Sequence, residues 1–457
     1  MFPAIPRQAL NYVRQLSKRI STVHIVSPSL EEGSCYATAF EVLNAKTQVH
    51  TSLEHINDVR NVDVLIFNNA LYQTVANADL LTDVLKKATN IVATDGIVIF
   101  REDLKNAEKH QVARLTDYFD VFRTIDSEGN HAGLDLYTVD QVDNSLCVEH
   151  NFLDFMFVFR KKVFAATSSD TTVTFRDFLD KTQYTSTGID VYEWMFGRGF
   201  ICPGGEPEHL SILNRFGGFR HGQALLDIGV GTGGGAKQAA EQFGLNVHAV
   251  DLSANMLAIA LERVQEEKDA RLRYSITDAL VYRFEEESFD FVHSRDCIQH
   301  IPDVELLFAK VYKALKPGGK VLMTMYGKGK GEQSAKFKEY VAKRAYFLRT
   351  LDEIAEIAKK AGFVNVETEN LTPRFKEILL EERNHLNRNS EEFLTKFTQR
   401  DMDSLICGWT DKLGYIEADN HNWNFLLAQK PLNHCATANT VHSGQDISAV
   451  GNGIKKL

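Results

Sequence analysis

The sequence predicts an α/β fold in each of two halves, with a parallel sheet covered by helices on both faces. Three observations predict it. Segments rich in β-branched residues alternate with helical segments along the whole chain. The apolar run Leu225-Leu226-Asp227-Ile228 enters a glycine-rich turn, Gly229-Val230-Gly231-Thr232-Gly233-Gly234-Gly235, just before a helical segment. A weak internal repeat relates residues 62–69 to 289–296, and Asp95-Gly96-Ile97-Val98-Ile99 to Gly318-Gly319-Lys320-Val321-Leu322.

In chain order, the first half is expected to form strands at Val23–Ser27, Val62–Phe67, Gly96–Phe100, Leu134–Val139 and Phe152–Phe159. In the second half strands are expected at Ala224–Ile228, Asn246–Asp251, Arg271–Thr277, Phe289–Ser294 and Lys320–Tyr326. Helices are expected at Gly235–Phe243 and Ala254–Glu267. A chain of 457 residues is long for one core. Two domains are therefore expected, at 1–165 and 173–431. The small polar run at 166–172 reads as a linker, and the polar, aperiodic tail at 432–457 as disordered. The first strand of the first half ends in Pro28-Ser29-Leu30-Glu31-Glu32, with no glycine loop. The first half is thus a degenerate copy, with a structural or interaction role.

Composition narrows the class. The net charge of -10 disfavours nucleic acid or an anionic membrane as partner. No apolar run approaches the roughly 20 residues of a spanning helix, and Met1-Phe2-Pro3-Ala4 opens no signal peptide. The six cysteines form neither a CxxC pair nor a zinc spacing, which fits a reducing, cytoplasmic compartment. No metal site is expected, and oligomeric state is not legible.

The glycine turn, Gly229-x-Gly231-x-x-Gly234, also satisfies the dinucleotide fingerprint, which alone is a weak signal. Three acids sharpen it. Asp227 stands two residues before the first glycine, placed for a cationic group. Asp251 ends the next expected strand, placed for ribose hydroxyls. Asp278, followed by Ala279, ends a third, placed for an adenine amino group. Lys316-Pro317-Gly318-Gly319-Lys320 precedes a late strand. This ordered set resembles the class I (Rossmann-like) methyltransferases, and implies S-adenosyl-L-methionine as cofactor.

Further segments narrow the resemblance. They are Gln183-Tyr184-Thr185-Ser186-Thr187-Gly188-Ile189-Asp190-Val191-Tyr192, then Phe200-Ile201-Cys202-Pro203-Gly204-Gly205, then Ser294-Arg295-Asp296-Cys297-Ile298-Gln299-His300, and residues 337–346. From about Phe175 to Lys430 the chain resembles the phosphoethanolamine N-methyltransferases of plants, nematodes and malaria parasites. The resemblance implies a catalytic tyrosine–histidine pair at Tyr184 and His300, with Asp296 beside the reacting amine. It implies substrate contacts at Gln183, Tyr184, Tyr192, Asp296, Tyr326, Tyr340, Arg344 and Tyr346. It implies cofactor contacts at Ile201, Cys202, Gly229, Asp251, Leu252, Met256, Asp278, Ala279 and Arg295, beside Asp227 and Gly231 of the glycine turn. Cys202 stands where relatives often carry serine. The stretch Glu417–Trp423, where relatives accepting the unmethylated substrate can carry a lysine, has none. The chain is similar to the nematode type whose catalytic domain is C-terminal. That similarity implies methylation of phosphomonomethylethanolamine and phosphodimethylethanolamine to phosphocholine, for phosphatidylcholine synthesis.

The residue types suit that chemistry. An amine must present a lone pair to the methyl carbon, and deprotonating a lysine-like ammonium at neutral pH costs on the order of 4 kcal/mol. A nearby base lowers that cost. Asp296 and His300 stand at i and i+4, so a helix starting at Asp296 would put both on one face. Arg344 offers a planar fork to a phosphate, and tyrosine rings suit an alkylated cation. The competing readings are a methyltransferase for another small amine or lipid precursor, and a non-catalytic S-adenosylmethionine-binding regulator.

Overall fold

The computed structural model describes residues 4–17, 19–56, 58–71, 78–103, 132–142, 154–163 and 174–432. The first half forms α1 (Ala4–Leu16), β1 (Thr22–Val26), α2 (Leu30–Phe40), β2 (Lys46–His50), β3 (Val62–Asn68), α3 (Ala78–Ile91), β4 (Val92–Asp103), β5 (Ala132–Gln141) and β6 (Asp154–Val163). The second half opens with α4 (Phe175–Thr182), α5 (Ser186–Phe196) and α6 (Gly205–Asn214). It continues with β7 (Ala224–Ile228), α7 (Gly234–Phe243), β8 (Asn246–Asp251), α8 (Ala254–Glu267), β9 (Leu272–Thr277), β10 (Phe289–Arg295), α9 (Val304–Ala314) and β11 (Leu315–Lys328). It closes with α10 (Ala335–Arg344), α11 (Leu351–Lys360), β12 (Val364–Asn370), α12 (Thr372–Arg388), α13 (Ser390–Lys396), α14 (Gln399–Glu417) and β13 (His421–Gln429). Each expected strand is present, shifted or extended at its ends. The expected linker at 166–172, the tail from residue 433 and Phe152 lie outside the described residues.

The strands form one sheet in the order β12-β13-β11-β10-β7-β8-β9-β5-β6-β4-β3-β1-β2. The sheet is mixed, where the alternation predicted a parallel one. β7, β8, β9, β10 and β11 are mutually parallel, and so are β1, β2, β3 and β4. β13 runs antiparallel between β11 and β12, with His421 opposite Lys328. The reason is the placement of the helix before it. A parallel neighbour needs a crossover back to the starting edge of the sheet. α14 instead ends near the carboxyl ends of the central strands, and β13 runs straight back from there.

The first half repeats this arrangement. β4 is followed in the sheet by antiparallel β6 and then β5, as β11 is by β13 and β12. The register shift between β3 and β4, from Val62↔Val92 to Val64↔Ile97, matches that between β10 and β11, from Phe289↔Leu315 to Phe291↔Lys320. Asn69 (φ 48°) and Asp296 (φ 51°) follow the equivalent strands in the same left-handed conformation. Each backbone N–H donates to the neighbouring strand, Asn69 to Arg101 O at 2.8 Å and Asp296 to Thr324 O at 2.9 Å. The two halves therefore share one strand plan.

Chemistry differs at the carboxyl ends. In the first half Asn69 Oδ1 is turned inward, accepting from the Asp103 backbone N–H at 3.0 Å. Beside it Arg101 and Asp154 form a buried pair at 2.6 Å. In the second half the corresponding ends converge on glycines, carboxylates and tyrosines.

Candidate active site

β7 delivers Asp227 to the carboxyl edge of the sheet. Its cross-strand neighbour is His293 of β10, whose Nδ1 lies 3.0 Å from Asp227 Oδ1. The chain then turns at Gly229 (φ 81°) and Gly231 (φ 63°). A Cβ on Gly229 would lie 2.3 Å from the Cys297 side chain, so a larger residue does not fit. The Gly231 N–H donates to Asp251 Oδ2 at 2.8 Å, and the Ser253 N–H to Asp251 Oδ1 at 2.8 Å. These two bonds aim the carboxylate, while burial pushes its pKa up to about 7.

Ser253 caps α8, its Oγ accepting from the Met256 N–H at 3.2 Å. Asp180 of α4 accepts from Ser253 Oγ at 2.5 Å and from the N–H groups of Ala254 and Asn255 at 3.3 and 3.4 Å. A carboxylate at a helix N-terminus is favourable, so α4 is fastened over the start of α8. Its own start is fixed by the capping box of Thr174 and Asp177.

Ile201 and Met256 face Gly231. A Cβ built there would lie 3.2 Å from Ile201 and 3.9 Å from Met256 Sδ. Ile201, Cys202, Asp227, Gly229, Gly231 and Arg295 line a narrow cavity of about 30 Å³. Burial pushes the Cys202 thiol up to about 12, which makes it no nucleophile. The Arg295 guanidinium is committed to the carbonyls of Gly205, at 3.0 Å, and Pro203, and so ties down the loop after Ile201. Asp278 and Ala279 follow β9, and Asp278 Oδ1 accepts from the Leu280 N–H at 2.8 Å. The Leu252 carbonyl accepts from Arg176 Nε at 2.9 Å. A larger cavity of about 250 Å³ shares Gly199 and Phe200 with the narrow one, and no predicted site residue lines it.

Past β10 lies a second set of residues. The Tyr184 hydroxyl is 3.2 Å from His300 Nε2. His300 is buried, its Nδ1 has no hydrogen-bond partner among the described residues, and its ring centroid is 4.9 Å from that of Tyr346. Burial first, and the Arg344 cation second, pull its pKa down to about 3, so the resting imidazole is neutral. Gln183 Nε2 donates to the Arg344 carbonyl at 2.9 Å, and Arg344 Nη1 donates to Gln183 Oε1 at 3.4 Å. Arg344 is held well above its usual pKa by Tyr346 and then, against burial, by Tyr192 and Tyr340. Tyr326 packs against Tyr346 with ring centroids 6.0 Å apart.

Asp296 Oδ1 accepts from Trp423 Nε1 at 2.7 Å and from Thr324 Oγ1 at 3.0 Å. Its Oδ2 is buried, lies 4.0 Å from Arg295 Nε and accepts no hydrogen bond among the described residues. No helix starts at Asp296 to put it on one face with His300. The residue is left-handed, and only a 3-10 turn follows, at Ile298–His300. Asp296 and His300 reach one site because the aromatic wall of Tyr326 and Tyr346 connects them, not because they share a helix face.

Glu417–Trp423 carries no lysine, but another lysine lies near the aromatic wall. Lys412 of α14 places its ammonium 5.4 Å from the Tyr326 ring centroid and 5.9 Å from that of Phe375. Burial pulls its pKa down to about 8, with Arg344 adding to the effect. Sequence reasoning also missed Trp423, and His421, whose ring lies 4.8 Å from Tyr326. The cluster of His421, Asn422 and Trp423 after α14 was the one available signal.

Five parallel strands, β7 to β11, with a glycine turn after β7, an aimed acid after β8 and another after β9, beside a narrow cavity lined by the turn's glycines, define a class I S-adenosylmethionine-dependent methyltransferase. Asp227, Asp251, Asp278 and Ala279, which the sequence reading assigns to the cofactor's cationic end, ribose and adenine, all lie at or just past the carboxyl ends of these strands. Residues 3–165 match the family described as phosphoethanolamine N-methyltransferase 2 N-terminal, and residues 226–323 match the methyltransferase domain family. The chain is 69% identical over 431 residues to phosphoethanolamine N-methyltransferase 2 of Caenorhabditis elegans, covering 94% of this chain and 98% of that one. It belongs to the phosphoethanolamine N-methyltransferase family. It is also similar to Haemonchus contortus phosphoethanolamine N-methyltransferase 2 solved with phosphomonomethylethanolamine and S-adenosylhomocysteine (TM-score 0.86, 48% identity, 94% of this chain and 100% of that chain). The same Haemonchus enzyme solved with S-adenosyl-L-methionine gives a TM-score of 0.87 at 48% identity, over 94% and 99% of the two chains.

Proposed function

We propose that the protein methylates phosphomonomethylethanolamine and phosphodimethylethanolamine to phosphocholine, with S-adenosylmethionine as donor. One observation carries the substrate class. A buried carboxylate oxygen, Asp296 Oδ2, which accepts no hydrogen bond among the described residues and has only Arg295 Nε at 4.0 Å, shares one aromatic enclosure with two cations, Arg344 and Lys412. That arrangement suits a small zwitterion with an ammonium at one end and a phosphate at the other.

When bound, S-adenosylmethionine supplies an electrophilic methyl group. The protein's own residues do the rest. Asp296, fixed by Trp423 and Thr324, holds the substrate amine. The Arg344 fork, Lys412 and the hydroxyls of Tyr192, Tyr340 and Tyr346 hold the phosphate. Tyr184 and His300 close the site over the amine and exclude water. The neutral His300 ring is the base nearest the amine, and pairing of the phosphate with Arg344 offsets the smaller of the two influences that disfavour its protonation, burial being the larger.

We also propose that residues 1–165 form the degenerate copy and 173–431 the catalytic unit. The shared strand plan and the inward-turned Asn69 support this reading. We place the reaction in the cytoplasm on the composition of the sequence; the described cysteines Cys35, Cys202, Cys297 and Cys407 are free thiols. Among the described residues no helix is long and apolar enough to cross a membrane.

The test is methyl transfer to phosphoethanolamine and to its mono- and dimethyl forms at matched pH. A methylated head adds apolar contact with the tyrosines, about 0.8 kcal/mol per buried carbon, and has fewer N–H groups to desolvate. The methylated substrates should therefore be used about tenfold better by kcat/KM, a difference of only ~1.4 kcal/mol. Equal kcat/KM for all three would remove the step assignment.

A further inference from the structure

We propose that the first half acts as a fixed wall for the nucleoside side of the cofactor site, and that Arg176 is the positioning residue that ties the two together. The proposal rests on the assignment of Asp251, Leu252, Asp278 and Ala279 to ribose and adenine.

The wall is a strand pairing. β5, from the first half, lies antiparallel to β9, with Thr138 opposite Thr277, Val139 opposite Ile276 and Asp140 opposite Ser275. β9 is the strand that delivers Asp278 and Ala279. Side chains pin it at both ends. The Tyr274 N–H donates to Gln141 Oε1 at 3.1 Å, and Thr277 Oγ1 donates to the Tyr137 carbonyl at 3.0 Å. Just beyond the adenine segment, the Tyr282 hydroxyl donates to Asp140 Oδ2 at 3.2 Å. The same wholly buried carboxylate accepts from Tyr12 of α1. A first-half residue thus holds the chain three positions past Ala279.

Arg176 extends the wall to the ribose. It sits on α4, the helix that leads into Tyr184. Its Nε donates to the Leu252 carbonyl at 2.9 Å, and both Nη atoms lie 3.5 Å from the Leu136 carbonyl of β5. One rigid fork therefore links the residue after Asp251 to the first-half strand. A lysine ammonium on a flexible stem does not reproduce that span. Further along α4, Asp180 fastens Ser253, and Asn255 Nδ2 donates to the Tyr184 carbonyl at 2.8 Å. The ribose loop, the adenine strand and the helix before the tyrosine are referenced to one wall.

The experiment uses the full chain and two probes in calorimetry, S-adenosylhomocysteine and 5′-methylthioadenosine, which keeps the nucleoside but lacks the amino-acid end. Arg176→Met is expected to weaken both by about the same factor, roughly tenfold, without a matching fall in melting temperature. Asp251→Ala is the control. Normal binding of both probes by Asp251→Ala would overturn the nucleoside assignment itself. Loss in Asp251→Ala with unchanged binding in a folded Arg176→Met would overturn the role of Arg176 alone. So would a loss confined to S-adenosylhomocysteine, because the affected contacts would then lie at the amino-acid end. Should Arg176→Met fail to fold, Arg176→Lys decides: a partial, equal loss of both probes supports the proposal, and wild-type affinity for both overturns it.

Discussion

Trp423 Nε1 donates to Asp296 Oδ1 at 2.7 Å, so the last strand of the sheet orients the carboxylate that follows β10. Asp296 is left-handed, and the hydrogen-bond donors to its side chain, Trp423 and Thr324, both come from distant parts of the chain. Trp423→Phe keeps most of the packing and removes the donor. Loss of a hydrogen bond to a charged acceptor is worth about 1.5–3 kcal/mol. Methyl transfer should fall roughly ten- to a hundredfold while S-adenosylhomocysteine affinity stays unchanged. Steady-state kinetics beside calorimetry on one preparation separates the two effects.

Lys412 should act on the phosphate. Lys412→Met is expected to raise the phosphobase KM by about tenfold or more and to leave cofactor affinity alone. The pH dependence has a definite sign. With its pKa lowered to about 8, Lys412 is cationic below that value and loses its charge above it. kcat/KM for the phosphobase should decline above about pH 8, and Lys412→Arg should move that decline to higher pH. A decline that stays in place in Lys412→Arg would assign it to another group.

Asp251 should make cofactor affinity depend on pH. Its carboxyl is raised to about 7 by burial. Ribose hydroxyls donate to the ionised form, so below about pH 7 binding must first release a proton. Affinity should then weaken by up to tenfold per pH unit on acidification. Calorimetry at pH 5.5 to 8 in buffers of different ionisation heat tests this, with Asp251→Asn expected to be flat (about the window set by that pKa).

Buried histidines set the acid limit of the fold. His300 and His421 are lowered to about 3, and His209 and His248 are well below their usual value, all chiefly through burial. Such groups stabilise the fold above the unfolded value of about 6.5, and that contribution is lost as pH falls below it. Asp251 and Glu382, both raised to about 7, act in the opposite sense between their unfolded values and 7. Four histidines outweigh two acids, so melting temperature should drop from pH 6.5 to 5 (a window taken from these values). His421→Asn should flatten the slope.

The sequence made some of this legible and not the rest. β7, the glycine turn and Asp251 were readable because glycine tolerance and strand pattern are local properties. Tyr184, Asp296, His300, Arg344 and the tyrosines came from ordered motifs, and the structure brings them into one enclosure. The i, i+4 spacing of Asp296 and His300 did not mark a shared helix face, because spacing takes no account of a left-handed residue, and Asp296-Cys297 carries no glycine to announce one. Lys412 was missed because on α14 it looks like any polar residue of an amphipathic helix. Only the antiparallel return of β13 shows which face of α14 meets Tyr326. The mixed sheet escaped the pattern for the same reason: strand direction depends on where the preceding helix ends.

The position of β13 also governs when the enzyme can exist. The strand lies between β11 and β12, and it brings Trp423 to a carboxylate more than a hundred residues earlier in the chain. During synthesis β7 to β11 emerge first and can pair as they appear, since domains generally form as they leave the ribosome. β12 has no place in the sheet until β13 arrives to bridge it. A nascent chain halted before residue 421 would thus carry the glycine turn and Asp251 but lack Trp423 and the strand beside β11. Such a chain could meet the methyl donor early and could not grip an amine, which delays turnover until β13 has been made.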